Sequence, residues 1–453
     1  MRMTDRAQLE RLGLFDARAP RYTSYPTAPH FSTAVQAPQF QSWLGSVAPK
    51  EPVSLYVHIP FCKRLCWFCA CRTQGIRTDD PVVSYLRTLK TEIAMVAAAL
   101  PKGTQLARLH WGGGTPTILN AGMIEDLSAT ITSALPFAEG AEFSVEIDPN
   151  EVDDARLDAL AAAGMTRASI GIQDFAPEIQ KTIGREQSFE ITKEVSEKLR
   201  ARGIESLNTD ILFGLPHQTL ESISDTTKKL LSLSPDRVAL YGYAHVPWMA
   251  KRQTMIPEAY LPASRERLGL FEAARDLFLA AGYDAIGIDH FAKPSDGLAQ
   301  SARSGRMRRN FQGYTDDTAP TLIGVGASSI SRFRQGYVQN ASATAAYLGR
   351  IREGMFGSAR GHALTPEDLL RGRVIEELMC QFTVDLAAIE AELDHVPFDL
   401  RAEFARVEKA FTPFVESGRN HLTITPAGQP LARMIAQEFD GYHREAGRHS
   451  AAM

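Results

Sequence analysis

Four of the chain's five cysteines lie at positions 62, 66, 69 and 71, within the segment SLYVHIPFCKRLCWFCAC. Cys62, Cys66 and Cys69 carry the spacing CxxxCxxC on one short loop. Three thiolates so spaced can ligate three irons of a [4Fe–4S] cluster and leave the fourth iron open to a non-protein ligand, which predicts redox chemistry at an open metal. The competing reading is a structural zinc site with Cys71 as its fourth ligand, although zinc sites usually present paired CxxC ligands. Otherwise Cys71 is a polarisable residue lining the cluster pocket, and Cys380, alone in EELMCQF, is expected to be a buried core thiol.

The loop must be carried by something stiff, and the sequence around it is periodic. Short β-rich runs at Leu55–Ile59, Leu106–Trp111, Glu142–Ile147, Ala168–Gln173, Leu207–Phe213 and Val238–Tyr243 alternate with longer segments of helical period such as VVSYLRTLKTEIAMVAAAL. Their spacing is that of successive βα units on a parallel sheet. The expected fold is α/β, an incomplete (β/α)6 barrel, with the cysteine loop at the C-terminal end of the first strand, where barrels of this kind keep their active sites. Further strand-like runs at Tyr283–His290 and at 321–331 extend this domain, expected over 51–350. Residues 1–50, containing PRYTSYPTAPHF, read as an extended N-terminal arm rather than a packed unit. Residues 351–453 read as a C-terminal domain that is helical and winged-helix-like. In it Thr365 caps a helix with Pro366 at its first position, and HLTITPAG makes a hairpin.

Composition narrows the partners. With 49 basic against 53 acidic residues in 453, the net charge is −4, so no global field favours nucleic acid or an anionic membrane. No stretch is apolar enough to span a bilayer, and the N-terminus has no signal-peptide core. Clustered cysteines in a reducing compartment favour metal over disulfides, and a cytoplasmic location follows. A monomer is expected.

Other motifs sit at the ends of the predicted strands. Gly112–Gly114 after the second strand lets backbone approach a ligand closely, though such a run is often only a turn. Glu146 ends the third strand, where a carboxylate can accept from ribose hydroxyls or simply face solvent. Arg303, Arg306, Arg308 and Arg309, with Arg21 in the arm, can pair with carboxylates or form a solvated face. His58, His110, His245 and His290 face the predicted barrel mouth, mostly as structural histidines.

CxxxCxxC after a strand resembles the radical S-adenosylmethionine (SAM) superfamily. The strings RYTSYPTA (21–28), SLYVHIPFC (54–62), CxC (69–71), LHWGGGTPT (109–117), SVEIDPNE (144–151), SIGIQDF (169–175), TDILFGLP (209–216), YAHVPW (243–248) and RNFQGYT (309–315) resemble the oxygen-independent coproporphyrinogen III oxidases of anaerobic haem synthesis. Related haem chaperones share the cluster but lack the arm and the CxC. Ala70 and Trp67 depart from the family's usual Gly and Tyr.

The resemblance implies a [4Fe–4S] cluster on Cys62, Cys66 and Cys69 and two molecules of S-adenosyl-L-methionine. It gives the cleaved SAM to Tyr56, Gly113, Glu146 and Ile330, with Tyr56 near the cluster and Ile330 on the adenine. It gives the second SAM to Phe68, Gly114, Thr115, Gln173, Arg185, Asp210 and Ala244, although Gln173 and Asp210 taken singly are also plausible helix caps. The implied partners are coproporphyrinogen III, an external low-potential electron donor and a final electron acceptor that the sequence does not identify. The implied reaction uses a 5′-deoxyadenosyl radical, which takes a hydrogen β to a propionate carboxylate. Loss of CO₂ and one further electron leaves a vinyl group, twice per substrate, giving protoporphyrinogen IX. The arm is expected to be a lid over the barrel mouth. The rival readings are a haem chaperone, a radical SAM methyltransferase using the second SAM as methyl donor, and a zinc-stabilised interaction protein.

Overall fold

The computed structural model of the protein describes residues 3–393, 397–442 and 452. Six strands run parallel and neighbour one another in chain order: β1 (Val53–Ile59), β2 (Leu106–Gly113), β3 (Phe137–Ile147), β4 (Arg167–Gln173), β5 (Ser206–Phe213) and β6 (Arg237–Gly242). Helices at Asp80–Ala99, Ala121–Ala134, Asp154–Ala162, Phe189–Ala201 and Leu220–Ser232 cross between them. This is the incomplete six-unit barrel that the periodicity predicts.

The strands bury both faces, but differently. Leu55, Val57, Leu109, Trp111, Phe143, Val145, Ile170, Ile211 and Leu240 point outward into one large apolar core shared with the helices. The alternate positions, from Ser54 and Tyr56 on β1 to Arg108 and His110 on β2 and Glu142 and Ser144 on β3, are polar and lie side by side in register. Where the strands begin, these inward residues form an ionic plug. Arg108 and Arg167 pair with Glu142 at 2.6 and 3.0 Å, and Arg237 pairs with Asp296 and Asp316 at 2.6 and 3.0 Å. Glu142 and Asp316 are both held below the usual carboxylate range; burial alone would raise them, but the arginines win. With that end filled, only the end where the strands finish is left for chemistry.

The sheet continues beyond six strands. β7 (Asp284–Ile286) and β8 (His290–Ala292) form an antiparallel pair on β6, so the single run expected at Tyr283–His290 is two short strands. On the opposite side β9 (Leu322–Val325) is parallel to β1 and is followed by antiparallel β10 (Ile330–Phe333), β11 (Gly336–Asn340) and β12 (Ser358–Ala363). The run read at 321–331 is thus two strands broken by a tight turn, with Gly326 at φ +96° and Ser328 at φ +64°. Because β12 belongs to this sheet, the first domain passes the expected boundary at 350 and reaches Ala363.

The turn is fixed from beneath by Glu92, fully buried in the helix Asp80–Ala99. Its carboxyl accepts from Gly326 N at 2.7 Å, Tyr347 Oη at 2.6 Å and Asn340 Nδ2 at 2.7 Å. Burial pushes it up to about 7, the three donors only partly opposing that rise.

After Thr365, which caps Pro366–Cys380 through Asp368 N as predicted, the C-terminal unit has helices at Leu386–Leu393, Arg401–Phe411 and Ala432–Gln437. The expected hairpin is a three-stranded sheet in which His421–Ile424 lies between Thr383–Asp385 and Val415–Ser417. Cys380 is buried, as expected.

The N-terminal segment corrects the sequence reading. It is not an unpacked arm: helices form at Met3–Arg11 and Ala37–Gly45, and Leu9, Leu14, Ala19, Tyr22 and Tyr25 are buried in the core of the C-terminal unit. Tyr22 donates to Asp440 Oδ2 at 2.9 Å, and Tyr25 Oη accepts from Gly441 N at 3.0 Å. A lid needs a surface it can leave. This segment is instead a wedge between barrel and C-terminal unit, because its aromatic side chains have no other apolar surface to cover them.

Two outcomes follow from this packing. Leu14→Ala should destabilise the protein by about 2–5 kcal/mol in chemical denaturation, as cavity-forming core changes do. Glu92 has a folded value above its ordinary 4.5, so the stability it provides is present below about pH 4.5 and lost as pH rises through 7. Glu92→Gln should therefore reduce the fall in unfolding free energy between pH 5 and 8. An unchanged fall contradicts this account.

Candidate active site

The cysteine loop leaves β1 at Pro60 and is pinned at several points. Gly114 N donates to Ile59 O at 2.8 Å and Thr115 N to Phe61 O at 2.9 Å, stitching the end of β2 to the start of the loop. A Cβ on Gly114 would lie 2.5 Å from Phe61 O, so only glycine permits this approach. Trp67 N donates to Ile183 O at 2.9 Å, and the Trp67 ring rests on Gly184, whose φ is +69°. The departure from the family's usual Tyr at 67 is thereby accommodated. On the far side Gln253, wholly buried, donates to Phe68 O at 2.7 Å and to Ala244 O at 3.0 Å, tying the loop to the end of β6.

The three thiols of the loop share one environment with two cations. Arg185 Nη1 donates to Cys66 Sγ at 3.6 Å, and Arg252 Nη1 donates to Thr73 Oγ1 at 3.0 Å. Cys69 is pulled down to about 6, first by a hydrogen bond with Cys71 and further by Arg252 and Arg185, whereas burial pushes Cys62 up to about 11. Arg185 also leaves a buried Nε without a partner, pointing to a group the protein alone does not supply. Among the described residues no three His, Cys, Asp or Glu side chains converge closely enough for one ion. Three soft thiolates beside cations fit an anionic iron–sulfur cluster.

Around the loop, the inward positions of the strands bring several of the expected residues together. Tyr56 Oη shares a hydrogen bond of 3.0 Å with His58 Nδ1, and the Tyr56 ring stacks on His110 at 5.7 Å between centroids. Glu146 accepts from Gly113 N at 3.1 Å and lies 3.6 Å from His110 Nε2. The glycine run therefore gives close approach within the protein first: a Cβ on Gly112 would meet Glu146 at 2.6 Å, and one on Gly113 would meet His58 at 2.4 Å. Ile330 stands at the start of β10, beyond the turn that Glu92 holds.

Gln173 ends β4 with a left-handed backbone, φ +71°, which costs a non-glycine residue of the order of 1 kcal/mol. Arg185 Nη2 donates to Gly171 O at 2.7 Å, and Asn208 Nδ2 donates to Asp210 Oδ1 at 3.1 Å. Burial, and then the nearby Glu146 charge, push Asp210 up to about 7. The helix-cap reading of Gln173 and Asp210 fails, because the helix after β4, Pro177–Ile183, has Ala176 at its N-cap with no side-chain cap, and the helix after β5 is capped by Thr219.

A cavity of about 1020 Å³ adjoins this site at Ala244 and extends under the N-terminal segment. Of the arginines singled out in the sequence, Arg21 and Arg309 line it. Arg303 pairs with Asp284, Arg306 bonds Ser304, and Arg308 lies against Glu376 and Glu377. Gln253, Arg267 and Arg433 were not anticipated. Gln253 and Arg433 lie on segments with no strand-end motif, and Arg267 lies on a helix that reads as ordinarily amphipathic.

Residues 56–230 match the Radical SAM superfamily. The whole chain is 60% identical to the oxygen-independent coproporphyrinogen III oxidase of Paracoccus denitrificans, covering 100% of both sequences. It is 38% identical to that of Escherichia coli over 96% of this chain and 95% of the relative. The chain belongs to the oxygen-independent coproporphyrinogen III oxidase family. The solved structure of the Escherichia coli coproporphyrinogen III oxidase, described as a radical SAM enzyme, superposes with a TM-score of 0.88 at 38% identity and covers 93% of this chain and 97% of that one. As a coproporphyrinogen oxidase of the radical SAM type, the protein uses a [4Fe–4S] cluster and SAM. Among the described residues no helix is long and apolar enough to cross a membrane.

The loop chemistry generates a direct test. Anaerobically reconstituted protein should hold about four irons per chain, and Cys62→Ala, Cys66→Ala or Cys69→Ala should each lose them. Cys71→Ala should keep them, and iron lost there would make Cys71 a ligand.

Proposed function

We propose that the protein converts coproporphyrinogen III to protoporphyrinogen IX by oxidative decarboxylation of two propionates to vinyl groups in oxygen-independent haem biosynthesis. The observation that carries this reading is the 60% identity, without a gap in coverage, to the Paracoccus denitrificans coproporphyrinogen III oxidase. When bound, the cluster and SAM supply a one-electron reductive cleavage and a hydrogen-abstracting group; the protein's work is placement and exclusion of water.

In this reading Cys62, Cys66 and Cys69 hold three irons, while Gln253 and the Trp67 contact with Gly184 keep the loop seated against the barrel end. Tyr56, Gly113, Glu146 and Ile330 hold the SAM that is cleaved. Glu146 has to release the Gly113 amide, or share it, when ribose hydroxyls arrive. Phe68, Gly114, Thr115, Gln173, Arg185, Asp210 and Ala244 hold the second SAM. Arg185 suits a carboxylate, and Asp210, buried and poised near neutrality, gains its charge when an ammonium binds beside it. The electron donor is external and of low potential, and the protein works as a cytoplasmic monomer without nucleic-acid or membrane partners.

Anaerobic incubation with SAM, reductant and coproporphyrinogen III should give a product lacking CO₂ and two hydrogens for each converted side chain by mass spectrometry. A methylated product, or none with haem retained, would decide for the methyltransferase or chaperone reading. Glu146→Ala should lower 5′-deoxyadenosine formation even without substrate. Asp210→Ala and Arg185→Ala should instead reduce vinyl formation more than deoxyadenosine formation. Identical effects of all three changes on both products would mean a single SAM site.

A further inference from the structure

The large cavity next to Ala244 has walls from three distant parts of the chain: the N-terminal segment, the end of β6 with the helix Ser264–Ala280, and the C-terminal unit. Among the described residues seven arginines line it: Arg6 and Arg275 pair with Glu272 and Asp276 of the same wall, Arg18 stacks on Trp248, and the other four are Arg21, Arg267, Arg309 and Arg433. Each of these four is held by backbone carbonyls. Arg21 donates to Gly242 O at 2.8 Å, Arg267 to Tyr243 O at 2.8 Å, Arg309 to Arg21 O at 3.3 Å, and Arg433 to Pro20 O at 3.0 Å. Carbonyls orient a guanidinium without cancelling its charge. Among the described residues Arg21, Arg267 and Arg309 have no carboxylate within ion-pairing distance, unlike the arginines of the barrel plug.

Two further observations mark the cavity as a place where anions are missing. Arg309 is buried, yet its Nη1 has no hydrogen-bond partner, and the buried Nε of Arg267 has none either. Burial lowers the proton affinity of Arg21, Arg267 and Arg433, and neighbouring arginines lower it further. Of the acids in the wall, Glu258 lies against His245, Glu272 against Arg6 and Asp276 against Arg275, while Asp289, whose charge also acts on Arg21 and Arg309, is engaged at 2.7 Å by His290 Nδ1. Leu268 and Phe271, on the helix that carries Arg267, and Trp248 supply apolar lining.

We propose that Arg21, Arg267, Arg309 and Arg433 form the carboxylate site for a tetrapyrrole bearing several propionates, whose macrocycle lies against Leu268, Phe271 and Trp248. The volume, about 1020 Å³, is at the upper end of ligand pockets and suits a four-ring molecule. Guanidinium forks match carboxylates in pairs, and such charge-assisted bonds are strong. Ala244, proposed above for the second SAM, also lines this cavity, so the two sites adjoin. This inference rests on the proposed decarboxylation for the identity of its ligand, but the site itself is read from the cavity.

Coproporphyrin III, the stable oxidised form with the same four carboxylates, serves as the probe, and quenching of tryptophan fluorescence reads its binding. Arg267→Met and Arg309→Met should each raise Kd about tenfold or more, the usual worth of a charge-assisted bond. Arg267→Lys should recover part of the loss. Arg306→Met, on the exposed turn away from the cavity, should bind like wild type. Protoporphyrin IX, with two carboxylates, and coproporphyrin tetramethyl ester should bind progressively more weakly. Circular dichroism and melting curves identify folded variants. Arg267 is partly exposed. Unchanged Kd in folded Arg267→Met, equal affinity for the ester, or an equal loss in Arg306→Met would overturn the site. If wild type forms vinyl products while Kd ignores these arginines, the site fails alone. If the Kd pattern holds while wild type forms no vinyl product, the site stands and the decarboxylase reading fails.

Discussion

A barrel strand offers every second side chain to the lumen, and in this chain those positions are polar. The outward positions, such as Val57, Trp111 and Val145, are committed to apolar packing beneath the helices, so a one-residue slip of any strand would put them into the lumen and drag charge into the core. Register is therefore fixed by the hydrophobic effect on one face, and the chemistry on the other face inherits that precision. Glu146, Asp210 and His110 are neighbours because Val145, Ile211 and Leu109 must stay outside. The ionic plug at the strand starts uses the same alternation: arginines and acids can fill that end only because they neutralise one another, and the opposite end is left open.

The cluster loop depends on this frame but adds its own constraints. Gly114 allows β2 to touch the backbone of Phe61, and Gly184 allows Trp67 to lie flat on the turn that follows Pro177–Ile183. Gln253 then joins Phe68 to Ala244 by two hydrogen bonds. Each contact restrains the loop from a different strand end, so the spacing of its thiols is set by the barrel as a whole. The turn carrying Gly326 is restrained in the same way by Glu92.

The features legible in the sequence were those with a local signature. CxxxCxxC, the Gly112–Gly114 run and the strand periodicities are short patterns whose meaning survives without tertiary context, and the six barrel strands lie where the β-rich runs put them. What was not legible depends on chain segments meeting over hundreds of residues. PRYTSYPTAPHF reads as extended and polar-aromatic, and its backbone is largely irregular; nothing in it reveals that Tyr22 and Tyr25 find their apolar cover near Asp440 and Tyr442. Among the arginines, sequence clustering pointed to Arg303, Arg306, Arg308 and Arg309, and of these Arg309 lines the cavity, with Arg21 from the N-terminal segment. The cavity adds Arg267 and Arg433, residues with no motif around them, because topology and not adjacency decides which cations converge. The run at 321–331 misled for a simpler reason: a glycine turn between two strands leaves the hydrophobic pattern almost unbroken.

The shared core of the N-terminal segment and the C-terminal unit bears on how the protein is made. Leu9, Leu14 and Tyr25 leave the ribosome long before their packing partners, from Leu370 to Phe439. β1 likewise waits for β9 before it has a neighbour on both sides. At the usual 5–20 residues per second, the 297 residues between Cys69 and Pro366 take roughly 15–60 s to synthesise. For that interval the nascent chain lacks the C-terminal unit that covers its aromatic N-terminal segment, and for the first part of it the thiol loop lacks Gln253, which ties it to the barrel end. Cluster donors and molecular chaperones thus have access to both before the fold closes, and so does oxygen.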